Sequence, residues 1–597
     1  MWPLSSTPFP VLSPKDVGTP TDTASDASNV KTYDYIIVGG GTAGCVLASR
    51  LSEDRNLKIL LIERGAAEDT WTSKVPMMSA DTFRAGGPAR RWFSQPLVEA
   101  NDRCLEVVHG EGLGGTSLVN GMLYTRGAPG DYERWAQQGN PGWSYKDIEH
   151  LFRKSERTLS QPPSDFRGKQ GPWQNQTHLD IPHRPVQLLA QATQNIGFPA
   201  VPDLNSPHAP AAGYATLDIC VDENSYRSST FRAFLPPHLA YERRDRLKVC
   251  TNALVTRLEI STSDGALRAT GVYFEAVDPR YADCKVLARA SREVILCGGA
   301  LSNPQLLMLS GIGPQHHLVE KGIPVVKDLP GVGAHLQDHM GLPVMWEVPV
   351  EDSIQRLIAS PMFAMKELLR YILTGRGAFS QSFLQTSLFV PSKLLNDRSE
   401  VSTDSGPALD ATAPENVPDI EIMPVAYNCN DVEIEGKGVL SLMAALLQPK
   451  STGHVRLTNR NPRARPEVDF GYLTDPSDYE VLRKAIKLCL RLGEELRRLG
   501  YAMKDLAVPV SETDADLDVF VREHLRTSYH YTSTCRMGPA GDQAGLPVVD
   551  AQLRVHGIEG LRIADCSIFP DVPATHTMAP AVLVAEKCAE LIASTRL

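Results

Sequence analysis

The chain has 597 residues, 42% of them hydrophobic, 22% charged and 7% aromatic, which is ordinary for a globular protein and too long for one simple core, so two domains are expected. A formal net charge of −10 excludes nucleic acid as the main partner, and the one dense basic run, Arg483 to Arg498, alternates with Leu and Glu as a solvated helix face would. Eleven scattered cysteines without a CxxC pair exclude a zinc ribbon or thioredoxin-like site and read as free, mostly buried thiols of a reducing compartment.

Residues 1–31, rich in Ser, Thr, Pro and Asp, are expected to form a disordered or loosely docked tail. No signal peptide or bilayer-length apolar run is seen, so a cytoplasmic location and no membrane partner are expected; the lone sequon Asn175-Gln176-Thr177 is weak evidence to the contrary. Order begins with a buried strand, Tyr33 to Val38, then a helix, Thr42 to Leu51, then a second strand, Leu57 to Glu63, which make a βαβ unit. Further strands are expected at Leu247–Cys250, Leu254–Ile260, Thr270–Phe274 and Glu293–Leu296. Helices are expected at Ile354–Leu373 and Tyr479–Leu499, with a surface excursion over residues 399–418. A last strand, Leu561–Ala564, precedes a helix from Pro580 to Ala593.

Gly39-Gly40-Gly41-Thr42-Ala43-Gly44 matches G-x-G-x-x-G between strand and helix. Gly39 permits the tight turn, Gly41 lets a pyrophosphate approach the backbone, and Gly44 lets the helix pack close to the strand. The helix start at Thr42 and Ala43 offers unpaired N–H groups to phosphates. Glu63, 24 residues after Gly39, can accept hydrogen bonds from ribose hydroxyls. These features point to a dinucleotide without choosing between FAD and NAD.

Four further stretches make that choice by resemblance. His109 to Met122 resembles the first signature of the glucose–methanol–choline (GMC) oxidoreductases, and Gly298 to Pro314 resembles the second. Gly331 to His339 is similar to a further family segment, and His530–Met537 with Asp565–Pro580 resembles the family's C-terminal catalytic region. The resemblance implies an α/β (α+β overall) fold: a Rossmann-like FAD-binding domain from residues 32–158, 226–333 and 545–597, and a substrate domain with an antiparallel sheet from 159–225 and 334–544. It implies FAD, with Gly114 and Gly115 passing close to the pyrophosphate and flavin, and Asn120 facing the ring. Ser117, Gly121 and Met122 of the same signature would also line the cofactor. Val255 resembles the adenine-contacting position and Asp565 the residue near the ribityl–pyrophosphate junction. Val119 stands where some members carry a flavin-linking His, so non-covalent FAD is expected. His109 stands where many have Arg, and would give a weaker, pH-dependent charge.

The same resemblance brings His530 and His576 to the reactive edge of the flavin. Oxidising an alcohol requires a base for the hydroxyl proton as hydride leaves carbon for flavin N5, and an imidazole suits that task. His530 is assigned as the base and His576 as the hydrogen-bond partner of the substrate oxygen. The N–H groups around Thr577 and Met578, at a helix start, could stabilise negative charge on reduced flavin. The expected partner is a small-molecule alcohol, with oxygen or another electron acceptor. The same His pair could serve a non-redox lyase or cyclase. No metal is expected: His335 and His339, at i and i+4, fall in a Gly-rich loop, and His316-His317 read as surface residues. Cys535 and Cys566 read as packing thiols, Ser310 lies outside a G-x-S-x-G elbow, and Phe379, Tyr529 and Tyr531 are candidate pocket aromatics.

Overall fold

A computed structural model describes residues 8–24, 29–79, 86–178, 183–263, 265–278, 285–402, 409–429, 434, 436–542 and 544–595. Strand Thr32–Val38 ends in the fully buried run Ile36-Ile37, as expected for a strand covered on both faces. It pairs in parallel with Ile59–Ile62 on one side and Val286–Leu296 on the other. Leu247–Cys250 extends the sheet beyond Ile59–Ile62, and Ala266–Ala276 and Ala253–Ser263 extend it antiparallel beyond Val286–Leu296. The late strand Leu561–Ile563 joins Val286–Leu296 in parallel. Helices Thr42–Leu51 and Met578–Ser594, both rich in small and aliphatic residues, pack against each other beside this sheet.

A second sheet has seven strands and is antiparallel. Its order is Lys504–Ala507, Met340–Val348, Gly438–Leu446, Ile420–Val425, Thr386–Val390 and Gly213–Thr216, with Arg526–Thr527 also on Met340–Val348. Helix Ser477–Arg498 lies across it, burying Leu482, Ile486, Cys489, Leu492 and Leu496 at helical spacing. Arg483 and its neighbours turn outward, with Arg483 paired to Asp518 at 2.7 Å.

The structure departs from expectation at several places. The described part of residues 1–31 is a docked strap. Thr19–Pro20 pairs antiparallel with Val286–Leu287, Leu12 N donates to the Val249 carbonyl (2.9 Å), and Val17 is fully buried. Its partners are more than two hundred residues away in the chain, so local composition carries no trace of them. Residues 354–373 are not one helix: Pro361 lacks an N–H and pushes Ser360 into an extended conformation (φ −129°, ψ 92°), giving Gln355–Ala359 and Pro361–Thr374. The excursion at 399–418 is packed at its described ends, where Ser399, Ala411 and Val417 are buried; 403–408 lie outside the described residues.

Asn175 is fully buried. Its amide donates to Glu156 Oε1 at 2.9 Å, within a network joining Arg126, Arg167, Glu156 and Asp218. A glycan on that nitrogen is incompatible with this packing. The described cysteines are free and mostly buried. No helix among the described residues is long and apolar enough to cross a membrane.

Candidate active site

The nucleotide cradle follows from three backbone approaches. Gly39 sits at φ +101°, and a Cβ there would stand 2.5 Å from the Cys297 carbonyl oxygen. A Cβ on Gly44 would fall 1.9 Å from the Gly39 oxygen, so only glycine lets helix Thr42–Leu51 lie this close to its strand. A Cβ on Gly115 (φ +51°) would meet Gly41 Cα at 2.7 Å, so the two glycine loops touch backbone to backbone. Gly114 N donates to Gly40 O (2.8 Å) and Thr42 Oγ1 to Gly114 O (3.3 Å). The first-turn N–H groups of Thr42 and Ala43 have no intrahelical acceptor by position. Two converging glycine backbones and a helix start match what a dinucleotide pyrophosphate requires, so the residues present fit that group.

Glu63 follows strand Ile59–Ile62 and is buried. Its carboxylate accepts from Gly40 N (2.7 Å), Gly65 N (2.7 Å) and Gly112 N (3.1 Å), and so ties the two loops together; burial pushes its pKa up. Ala253 N donates to the Glu63 carbonyl, which brings Val255 to the same edge of the sheet two residues later. Asp565 accepts from Gly299 N (2.7 Å), Asn303 Nδ2 (2.8 Å) and Ser567 N (2.9 Å), beside the start of helix Gly299–Leu309. Ser117 is differently placed: its hydroxyl is buried between Gly114 O (2.6 Å) and Thr230 N (3.1 Å), so it fixes the loop from behind. His109 is half-buried edge-on against Trp92, and desolvation, with Arg465, Arg64 and Arg90 nearby, pushes its pKa down to about 4. It therefore stays neutral at physiological pH and supplies no phosphate-side charge, contrary to expectation.

Asn120 Nδ2 meets Met578 Sδ at 2.9 Å, which brings the first signature to the start of the C-terminal helix, where Thr577 is the N-cap. That helix begins at Met578 rather than Pro580, and Pro580 occupies its first turn, where a missing N–H costs nothing. Met122 sits at φ +65°, with its N donating to Asn120 Oδ1 (3.1 Å), and the Gly121 carbonyl accepts from Ser382 Oγ (2.8 Å).

His530 and His576 converge: their ring centroids are 5.0 Å apart at an interplanar angle of 84°. His530 Nδ1 lies 2.9 Å from His339 Nδ1, and its backbone N donates to Asp338 Oδ1 at 2.6 Å. Asp338 also accepts from the Tyr472 and Thr527 hydroxyls, and burial raises its pKa to about 6. His576 Nε2 lies 3.1 Å from Glu421 Oε1, which also accepts from Ser387 Oγ (2.7 Å). Burial, followed by His339 and His576, pushes the pKa of His530 well below its ordinary value; burial takes that of His339 down to about 3. Tyr529, beside His530, is held at φ +61° and is exposed, whereas Tyr531 is core: its hydroxyl accepts from Val108 N (3.2 Å) and its ring packs on Phe470. Cys535 and Cys566 are packing thiols whose burial raises their pKa.

Four residues here were not singled out from sequence. The i, i+4 spacing of His335 and His339 suggests only a metal pair, whereas the structure holds His335 outside any helix at φ +54° and sets His339 against His530. Asp338 lies inside the Gly331–His339 segment, whose pattern assigns it no role. Glu421 and Arg227 carry no local signal. Arg227 is buried, donating to Asn120 Oδ1 (2.9 Å), Asn120 O (2.7 Å), Ser117 O (3.0 Å) and Ser79 Oγ (2.7 Å). His317, read as surface, accepts from Leu457 N at 3.0 Å.

A glycine-built dinucleotide cradle beside paired, part-buried imidazoles defines a nucleotide-dependent oxidoreductase. Residues 33–341 and 449–585 match the two parts of the GMC oxidoreductase family description, and the chain belongs to that family; its cofactor is FAD. It is 33% identical over 571 residues to an oxygen-dependent choline dehydrogenase of Chromohalobacter salexigens, covering 95% of each chain. Among solved structures, it resembles an FAD-dependent oxidoreductase of Chaetomium thermophilum (25% identity, TM-score 0.80, 94% of this chain and 99% of that one). It also shares its fold with pyridoxine 4-oxidase of Mesorbium loti (23% identity, TM-score 0.78, 94% and 99%).

Proposed function

We propose that this chain oxidises a small-molecule alcohol to a carbonyl compound, with His530 as the base. The observation that carries this is the 5.0 Å convergence of His530 and His576, each backed by a second buried polar side chain. The names of the relatives support an alcohol substrate class, since they act on choline or pyridoxine, or are so named.

Bound FAD supplies the hydride acceptor. The residues proposed to hold it are Gly39, Gly41, Thr42, Ala43 and Gly44 with Gly114 and Gly115 at the pyrophosphate, Glu63 and Val255 at the adenosine end, and Asp565, Asn120, Gly121, Met122, Thr577 and Met578 toward the ring. Val119 offers no nucleophile, which supports non-covalent attachment.

His530 takes the hydroxyl proton at Nε2. That nitrogen carries a lone pair when Nδ1–H donates to His339 Nδ1, which in turn puts the proton of neutral His339 on Nε2. The Leu447 and Pro573 carbonyls lie beside the His339 ring and favour that tautomer, although neither meets Nε2 at hydrogen-bond geometry. A depressed pKa keeps His530 neutral, and so ready to accept, at physiological pH. Glu421 accepts from His576 Nε2–H, which holds the ring in place beside the substrate and leaves Nδ1 as its hydrogen-bonding atom toward the hydroxyl. Asp338 fixes the backbone of the loop that carries the base.

The FAD-loaded protein, mixed without oxygen with primary, aryl, amino and sugar alcohols, should bleach its flavin absorbance with at least one of them. If none reduces the flavin while a substrate rearranges with flavin still oxidised, the chain is a lyase or cyclase and this proposal fails.

A further inference from the structure

Helix Pro361–Thr374 is built the wrong way round for a surface helix. Its inward side buries Glu367, which accepts from Ala378 N (3.0 Å), and Tyr371, whose hydroxyl donates to the Ser225 carbonyl (2.8 Å). Its outward side carries Met362, Met365, Leu369 and Leu373, spaced by three and four residues, and Ile358 of the preceding short helix continues the stripe. Each of the five is at least 51% exposed. Amphipathic helices normally bury that face, and monomeric proteins rarely expose a contiguous apolar patch of this kind without a partner.

The charge around the stripe has a definite sign. Between Ser353 and Asn396 the sequence carries five Lys or Arg and one carboxylate, and that carboxylate is the buried Glu367. Lys366, Arg370 and Arg376 are exposed along the rim. This is a local reversal of sign in a chain of net charge −10. We propose that this hairpin docks on an anionic lipid surface, with the apolar stripe at the acyl boundary and the basic rim among the headgroups. A second copy of the chain fits less well, because a two-fold contact would set one cationic rim against the other. No helix among the described residues is long and apolar enough to cross a membrane, but lying on a bilayer is a different mode of contact.

The surface is tied to the catalytic region. The Gly375–Gly377 turn leads through Ala378–Ser380 to Ser382, which bonds the Gly121 carbonyl, and to Phe383, whose ring lies 3.5 Å from where a Gly121 Cβ would be. Docking would therefore place lipid close to the Asn120–Met122 side of the site.

Co-sedimentation of the full-length FAD-loaded protein with vesicles tests this. Phosphatidylcholine vesicles containing about 30% phosphatidylglycerol should bind it about 10-fold better than phosphatidylcholine alone, and high salt should weaken the contact. Met362→Glu/Leu369→Glu should lose about 10-fold in binding while keeping its flavin and the size of the wild-type protein. Lys366→Glu/Arg376→Glu, confined to exposed positions, should do the same and serves if the first variant fails to fold. Equal sedimentation with both vesicle types, no sedimentation with either, or binding unchanged in both variants overturns the proposal. So does light scattering that shows a wild-type dimer broken by Met362→Glu/Leu369→Glu, since a second copy would then cover the face.

Discussion

Arg227 is a guanidinium buried to 1% exposure whose hydrogen bonds to Ser79, Ser117 and Asn120 all go to neutral oxygens, and burial pushes its pKa down to about 9. Such a cation costs on the order of several kcal/mol to bury. Its position against Asn120 gives it a use, since a fixed positive charge there favours a cofactor that gains negative charge on reduction. Arg227→Met should lower the flavin midpoint potential by about 30 mV or more, equivalent to about 1.4 kcal/mol for a two-electron couple, and Arg227→Lys should restore part of it. Equal potentials in all three proteins, with FAD bound, would leave Arg227 a purely structural role. Asp338 makes a second prediction. Above about pH 6 it is a carboxylate that accepts from Tyr472, Thr527 and His530 N; below that it takes up a proton and one donor loses its acceptor. The acid-side fall in kcat/KM should centre near that value, and Asp338→Asn should remove that midpoint from the profile. His530 does not set this limb, because its pKa lies well below the ordinary imidazole value. At this scale sequence reading reached His530 and His576 because they sit in recognisable motifs. It missed Arg227 and Glu421, whose importance comes from contacts with residues more than a hundred positions away.

The strand–glycine–helix element was the most legible part of the chain, because its requirements are local: a buried aliphatic run, three glycines at fixed spacing and an acid at the end of the next strand. Gly44→Ala tests the steric reason directly. Its Cβ would enter the space of the Gly39 carbonyl, so the helix must shift at a cost of about 1–3 kcal/mol, seen as a lower Tm and weaker FAD retention. An unchanged Tm and full FAD content would show that the close approach is dispensable. The long strands Ala253–Ser263 and Ala266–Ala276 are legible only in their apolar parts, since their shared hairpin end is exposed at Thr262 and Ala266, and Val286–Leu296 is legible only from Glu293 on, because the exposed Ser291 and Arg292 interrupt its buried run. Helix 354–373 was overextended because its hydrophobic spacing continues across Pro361, where the backbone cannot.

At the scale of the whole molecule, the catalytic groups come from separate elements that meet. In the antiparallel sheet, Glu421 and Gly341 both lie opposite Ala445, so Glu421 and the neighbouring His339 arrive at the same end by strand register. His530 arrives from the loop after Arg526–Thr527, which pairs with Met340–Val348, and His576 from the segment before the C-terminal helix. None of this convergence is visible in local pattern, because it depends on register between strands eighty residues apart. Whether His530 is the base is decided by single-turnover flavin reduction by an alcohol substrate, followed without oxygen in wild type and His530→Ala. The rate constant should be about 10²–10⁴-fold lower in the variant, with FAD content and midpoint potential unchanged. Reduction at the wild-type rate in His530→Ala would contradict that role.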